Sequence, residues 1–238
     1  MATEIVINNL SKNFGKVQAL DGVSLNIEIG MFGLLGKNGA GKTTLMKILA
    51  TLLNKSGGDV KVCEYDIKDA KAIRKITGYL PQEFSMYPNM KVSEALEYLG
   101  LLSGMKKSEL REQSNKLLKQ VNLLKVRRMK VKALSGGMKR RLGIAQAIMH
   151  NPRVLIVDEP TAGLDPEERV RFRNLLSEIA EDRVVILSTH IVEDIEKTCK
   201  KLAVLDKGKI VYSGELETFV AGSDGLEDAF MKCIGGIA

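Results

Sequence analysis

Apolar residues alternate with polar ones at Ile5 and Ile7, and again at Val23, Leu25 and Ile27. That period of two is the pattern of half-buried strands. Met31–Leu35 is a short apolar run that meets a glycine at Gly36. The period then changes. Leu45, Ile48, Leu49 and Leu52 fall on one helical face, which predicts a helix over Lys42–Leu53. Strand, glycine-rich turn and helix make a βα unit.

From about Val92 to His150 the chain is rich in Leu, Lys, Glu and Ala and poor in β-branched alternation. Ser93 is placed to cap a helix that buries Leu96 and Leu99, and Ser108 one that buries Leu117, Leu118 and Val121. Ser135 opens a third, in which Met138, Leu142, Ala145 and Met149 recur at helical spacing. Then the α/β rhythm returns. Val154–Val157 and Val184–Leu187 read as buried strands, and Pro166–Ala180 and Ile191–Lys200 as helices. Leu202–Leu205 and Ile210–Tyr212 flank the turn Lys207-Gly208-Lys209. The pattern predicts an α/β fold, a parallel sheet covered by helices and interrupted by a helical lobe.

Composition narrows the class. With 238 residues, 45% apolar and 27% charged, the chain can bury a real core and is neither fibrous nor disordered. Aromatics are 5% and Trp is absent, which disfavours base-stacking modules. The net charge of +7 has one source: Lys125, Arg127, Arg128, Lys130, Lys132, Lys139, Arg140 and Arg141 lie within a stretch that holds no acid. A solvated helix face or a charged contact surface both fit that run. No apolar run approaches the ~20 residues of a membrane span, and the first residues show no secretory pattern. Cys63, Cys199 and Cys233 are far apart, as expected of free cytosolic thiols.

Two motifs carry chemistry. Gly36-Lys37-Asn38-Gly39-Ala40-Gly41-Lys42-Thr43 fits G-x-x-x-x-G-K-[ST] between a strand and a helix. Glycines let backbone N–H groups curl around phosphate oxygens, and the helix start adds its positive end. Lys42 is placed to reach the β- and γ-phosphates and Thr43 to ligate Mg²⁺. Val154–Val157 then ends in Asp158 and Glu159, two acids at the carboxyl end of a buried strand. Asp158 suits Mg²⁺, and Glu159 suits a general base for an attacking water.

Ala133-Leu134-Ser135-Gly136-Gly137-Met138 resembles the L-S-G-G-Q signature of ABC-type ATPases. Pro160-Thr161-Ala162-Gly163-Leu164-Asp165 resembles their D-loop, Ser188-Thr189-His190 their switch histidine, and Tyr79-Leu80-Pro81-Gln82 their Q-loop. The resemblance runs in order from about Ile5 to Gly214 and is closest to bacterial exporters of drugs, antibiotics or polysaccharides. It implies a P-loop NTPase (RecA-like) core with an N-terminal antiparallel β subdomain and an inserted α-helical subdomain. The implied division is 1–82 with 151–215 for the core, 83–150 for the signature subdomain and 216–238 for a helical tail. It further implies two subunits stacked head to tail around two ATP molecules. Phe14, Gly36, Asn38, Gly39, Ala40, Gly41, Lys42, Thr43 and Thr44 of one subunit would face Ser135, Gly136, Gly137 and Asp165 of the other.

On the same resemblance, Glu159, His190 and Gln82 serve hydrolysis, and Thr43, Gln82 and Asp158 hold Mg²⁺. The machine implied is a transporter ATPase on the cytoplasmic face of the membrane, with permease subunits on a separate chain and no nucleic acid. Phe84, Met86, Tyr87 and Met90 are expected either to be exposed as an apolar contact surface for that permease or to fill a satellite core. A non-transport ATPase, such as one for cluster assembly, is the alternative. Three positions depart from the pattern. Met138 replaces the usual Gln, Lys37 adds a charge with no evident task, and Phe14 replaces a more common Tyr.

Overall fold

A computed structural model describes residues 3–235. Two sheets share the chain. The first is antiparallel, in the order β2-β1-β4-β5 (Val17–Glu28, Thr3–Phe14, Gly57–Val62 and Tyr65–Asp66). The second has the order β10-β9-β3-β8-β7-β6. Its strands are Lys209–Glu215, Lys201–Asp206, Gly30–Leu35, Val184–Thr189, Val154–Asp158 and Thr77–Leu80. Pairing is parallel from β9 through to β6, and β10 alone runs antiparallel at the edge.

The centre of the second sheet is covered on both faces, so β7 and β8 are buried along their whole length, whereas the edge strand β10 is half-exposed. β7 shows the alternation: Val154 and Ile156 join one core, Leu155 and Val157 the other. The first core lies between the two sheets and takes in helix α1 (Lys42–Leu49) through Leu45, Met46, Ile48 and Leu49. The second holds α6 (Pro166–Ile179), α7 (Val192–Thr198) and α9 (Leu226–Cys233), and continues into the helices between β6 and β7. Those are α3 (Val92–Leu102), α4 (Lys107–Gln120) and α5 (Gly136–Ala147), with 3-10 turns at Leu124–Val126 and Val131–Ala133. α2 (Ala70–Ile76) leads into β6, and α8 (Leu216–Val220) follows β10.

Several sequence expectations shift. α1 stops at Leu49 because Thr51 takes φ 57°, so Leu52 leaves the helical face and is 58% exposed. Ser93 and Ser108 do not cap α3 and α4; Lys91 and Lys106 do. At α3 the Glu94 carboxylate accepts from the Lys91 N–H at 3.3 Å, and Val92 N–H donates to Met129 O, which fixes the start two residues early. Ser135 does cap α5, accepting from Met138 N–H at 3.2 Å, and Asp165 caps α6, accepting from Glu168 N–H at 2.8 Å, a role the sequence reading did not assign. Lys207 (φ 46°) and Gly208 (φ 80°) form the tight β9–β10 turn. The periodicity gave no warning of β4, β5 or α2.

Candidate functional site: a phosphate loop facing an acidic strand end

The site forms where β3, β7 and β8 end at one edge of the sheet. After β3 the chain bends through Gly36–Gly41 into α1. Gly41 is the helix cap, with φ 111°, and a Cβ there would stand 2.7 Å from Ala19 O. A Cβ on Gly36 would stand 2.4 Å from Leu205 O. Only glycine fits either position. The loop is therefore seated between β2 and β9, and one turn joins it to both: Gly208 N–H donates to Ala40 O at 2.9 Å, and Asp21 N–H donates to Gly208 O at 2.8 Å.

Lys42 is buried, and its ammonium donates to Gly36 O at 2.7 Å and Lys37 O at 3.2 Å. Its third neighbour is Glu159 Oε1 at 3.1 Å. The other Glu159 oxygen meets His190 Nδ1 at 2.9 Å. Glu159 thus links the phosphate loop to the residue after β8. It holds φ 46°, a left-handed conformation that costs a non-glycine residue about 1 kcal/mol. Its N–H is anchored on Ser188 O at 2.9 Å.

Asp158, one residue earlier, is 0% exposed. Its Oδ1 accepts from Ser188 Oγ at 2.5 Å, while Oδ2 is buried with no protein partner. A buried carboxylate oxygen left in that state costs free energy unless a cation or donor faces it. The residue pair therefore fits a divalent cation beside a phosphate. Tyr79, on neighbouring β6, has its hydroxyl buried; burial and the Asp158 charge push its pKa up to about 12.

Asn38, Gly39, Gly41, Lys42, Thr43, Thr44, Gln82 and Glu159 line one cavity of about 280 Å³, together with Ala19. Ala40 is buried beneath it in the inter-sheet core. Phe14 lies at the end of the β1–β2 hairpin, 48% exposed, with the Lys12 ammonium 4.9 Å from its ring centre. It does not line the cavity. Ser135, Gly136, Gly137 and Asp165 also lie outside it. Gly136 is open to solvent on its Cβ side, whereas a Cβ on Gly137 would stand 2.6 Å from Glu168 Oε2. Met138, at the departure from the signature, is half-buried against the core beneath α5. A wider cleft of about 680 Å³ lies on the helical lobe around Glu109, Glu112 and His150 and has no phosphate-type loop.

Three groups around the site escaped the sequence reading. Arg140 on α5 donates to the backbone carbonyls of Gln82 and Pro81, tying the Q-loop segment to the signature helix. Arg141 on α5 meets Glu168 on α6 at 3.3 Å and donates to Val121 O at 3.2 Å. Asp194, 0% exposed, accepts from Thr161 Oγ1 and lies 3.4 Å from Arg173 Nη1. No spacing rule points to such long-range pairs, because each partner reads alone as a solvated helix charge.

A phosphate loop after a buried strand, opposite acids at the end of a parallel neighbour, defines a nucleotide-binding P-loop protein. The sequence pattern of the ABC transporter family matches residues 20–162, and the chain belongs to that family as an ATP-binding domain. It is similar to the linearmycin resistance ATP-binding protein LnrL of Bacillus subtilis (strain 168), 34% identical over 97% of this chain and 78% of the relative. The Nod factor export ATP-binding protein I of Ralstonia nicotianae is 36% identical over 93% and 71%. Among solved structures, an ATP-binding subunit of an ABC transporter superposes with TM-score 0.86 and 25% identity, over 97% and 99% of the two chains. A dimeric ATP-binding cassette in a post-hydrolysis state, bound to ADP and Pi, superposes with TM-score 0.79 and 25% identity, over 89% and 98%. The fold is that of ABC ATPases, and the activity of this domain is ATP hydrolysis.

Proposed function

We propose that two copies of this chain stack head to tail, hydrolyse ATP between them and so drive export through separate membrane subunits. The observation that carries this is the division of phosphate-binding parts within one chain. The phosphate loop, Glu159 and Gln82 share a cavity, while Ser135–Gly137 stands apart at the start of α5, with free N–H groups and an open Gly136. A partner's γ-phosphate gives that second anion site its use. The ADP- and Pi-bound neighbour is a dimer, which supports the same arrangement.

Within the site, loop N–H groups and Lys42 take the phosphates, and Phe14 offers a face for the base. Asp158 Oδ2, Thr43 and Gln82 would hold Mg²⁺, whose charge would offset that of the β- and γ-phosphates. Glu159 accepts a proton from the attacking water as its oxygen bonds to the γ-phosphorus and the bond to ADP breaks. His190 holds Glu159 and would contact the γ-phosphate from there. Asp165 caps α6 at an exposed position from which it would meet the partner.

The membrane subunit would dock in a groove of about 380 Å³ lined by Phe84, Ser85, Met86, Tyr87, Pro88, Leu99 and Gln146. Of Phe84, Met86, Tyr87 and Met90, only Tyr87 is exposed; the other three are half-buried against the core, Phe84 close over Gly143. Export is supported by the named roles of the two relatives, resistance and Nod factor export. Among the described residues no helix is long and apolar enough to cross a membrane. In this reading the partner holds the chain at the cytoplasmic membrane face. Glu159→Gln tests the core of it: an ATP-bound dimer should accumulate on size exclusion and turnover should fall at least 100-fold. Near-normal turnover would show that Glu159 is not the base.

A further inference from the structure

The basic stretch found in the sequence has no task in nucleotide chemistry, and its place in the fold suggests one. Residues 88–93 and 127–132 lie side by side: Val131 N–H donates to Met90 O, Lys132 N–H to Pro88 O, Val92 N–H to Met129 O and Ser93 N–H to Arg127 O. This seam brings Lys91 opposite Lys130. Lys125, Arg128, Lys130 and Lys132 are all exposed along it. Two acids lie on α3: Glu94, already paired with Lys91 at 2.8 Å, and Glu97, which is half-buried beside Tyr98.

Beside these cations lies uncovered apolar surface. Tyr98, Leu101 and Leu102 sit three and four residues apart on one face of α3 and are all exposed, Leu102 at 62%. Tyr87 packs edge-on against Tyr98, with ring centres 5.4 Å apart, and Met129 is exposed on the seam itself. Among the described residues eleven large apolar side chains are strongly exposed, and five fall in this one region. Cations flanking aromatic and leucine side chains form the surface that suits a lipid headgroup layer: the cations meet anionic headgroups and the apolar groups enter the acyl boundary. An acidic protein segment would match the charges and leave the α3 stripe without a use.

We infer that this face, Lys125, Arg128, Lys130 and Lys132 with the α3 stripe, binds an anionic lipid surface. The inference extends the docking groove just proposed, which Tyr87 borders. A subunit seated there is itself embedded in lipid, so the face beside it lies close to the headgroups. The contact adds a second, protein-independent hold on the membrane and orients the domain before the groove is filled.

The test uses the purified chain without any membrane subunit. It is floated with vesicles of phosphatidylcholine alone and with vesicles that also contain phosphatidylglycerol. Binding should appear with the anionic vesicles and fade as salt is raised. Each Lys or Arg to Gln substitution among the four should weaken it about fivefold. Leu101→Ser with Leu102→Ser should weaken it without changing the salt dependence. None of these residues lines the nucleotide cavity, so ATPase activity in the same samples reports that every variant is folded. Equal binding to both vesicle types overturns the inference, as does undiminished binding by the folded quadruple Gln variant. A chain that ignores vesicles yet captures an acidic segment of a membrane subunit also overturns it, while leaving the transport reading intact. If no membrane protein co-purifies, the transport reading fails, and the vesicle result stands on its own.

Discussion

The Glu168 carboxylate fills the space beside Gly137, so that a single added carbon on that glycine would sit 2.6 Å from Oε2. The same carboxylate meets Arg141 one turn further along α5, and the Glu168 N–H is held by Asp165. The start of the signature helix and the D-loop therefore share one side chain. Gly137→Ala should push Glu168 away and disturb both. We expect a loss of turnover exceeding tenfold, with unfolding free energy down by on the order of 1–2 kcal/mol. Glu168→Gln keeps the shape and should retain most of the stability, whereas Glu168→Ala strands Arg141 and should cost roughly 2–3 kcal/mol. Denaturant melts alongside ATPase rates distinguish these outcomes; an unaltered Gly137→Ala protein would show that the contact is slack.

Asp194 ties the segment after Glu159 to the segment after His190 through Thr161, with Arg173 as its counter-charge. Removing the charge leaves Arg173 with Glu193 alone, at 3.0 Å on the surface side. Asp194→Asn should destabilise the fold by about 2 kcal/mol. If the tie also sets the spacing of Glu159 and His190, kcat should fall while KM for ATP stays unchanged. A parallel fall in stability with unchanged kcat would assign the network to folding alone.

All three thiols are held protonated by burial. Cys199 and Cys63 are pushed up to about 12 and Cys233 is raised, each chiefly by desolvation of its thiolate. Alkylation of the native protein at mildly alkaline pH should be slow at all three sites and accelerate sharply in denaturant. Mass spectrometry after timed quenching would read this. Rapid native labelling of Cys199 would show that the region around α7 opens readily. A thiol whose folded pKa lies above its unfolded value contributes stability that is lost only as pH rises beyond the unfolded pKa.

Much of this was legible in the chain because the chemistry demands local patterns. A phosphate loop needs glycines at fixed offsets, and a buried strand ending in two acids is short and apolar. What the sequence hid was set by partners far along the chain. Ser93 looked like a cap until residues 127–132 fixed the start of α3 at Val92. Leu52 matched the helical period, but Thr51 turned the backbone first. β4 owes its pairing to β1 and β5 owes its own to β4, and their alternation is too short to show it. Arg141, Glu168 and Asp194 read as ordinary surface charges, and only the packing of α5, α6 and α7 buries them.

The hydrogen bond from Gly208 to Ala40 has a consequence in time. The phosphate loop leaves the ribosome early, yet the turn that seats it lies 168 residues later. At synthesis rates of about 5–20 residues per second that gap lasts roughly 10–30 s. Through that interval the loop has neither β9 nor its turn to hold it. The most recognisable stretch of the sequence is thus among the last to reach its working shape, and a nascent chain short of Gly208 should be unable to hold nucleotide.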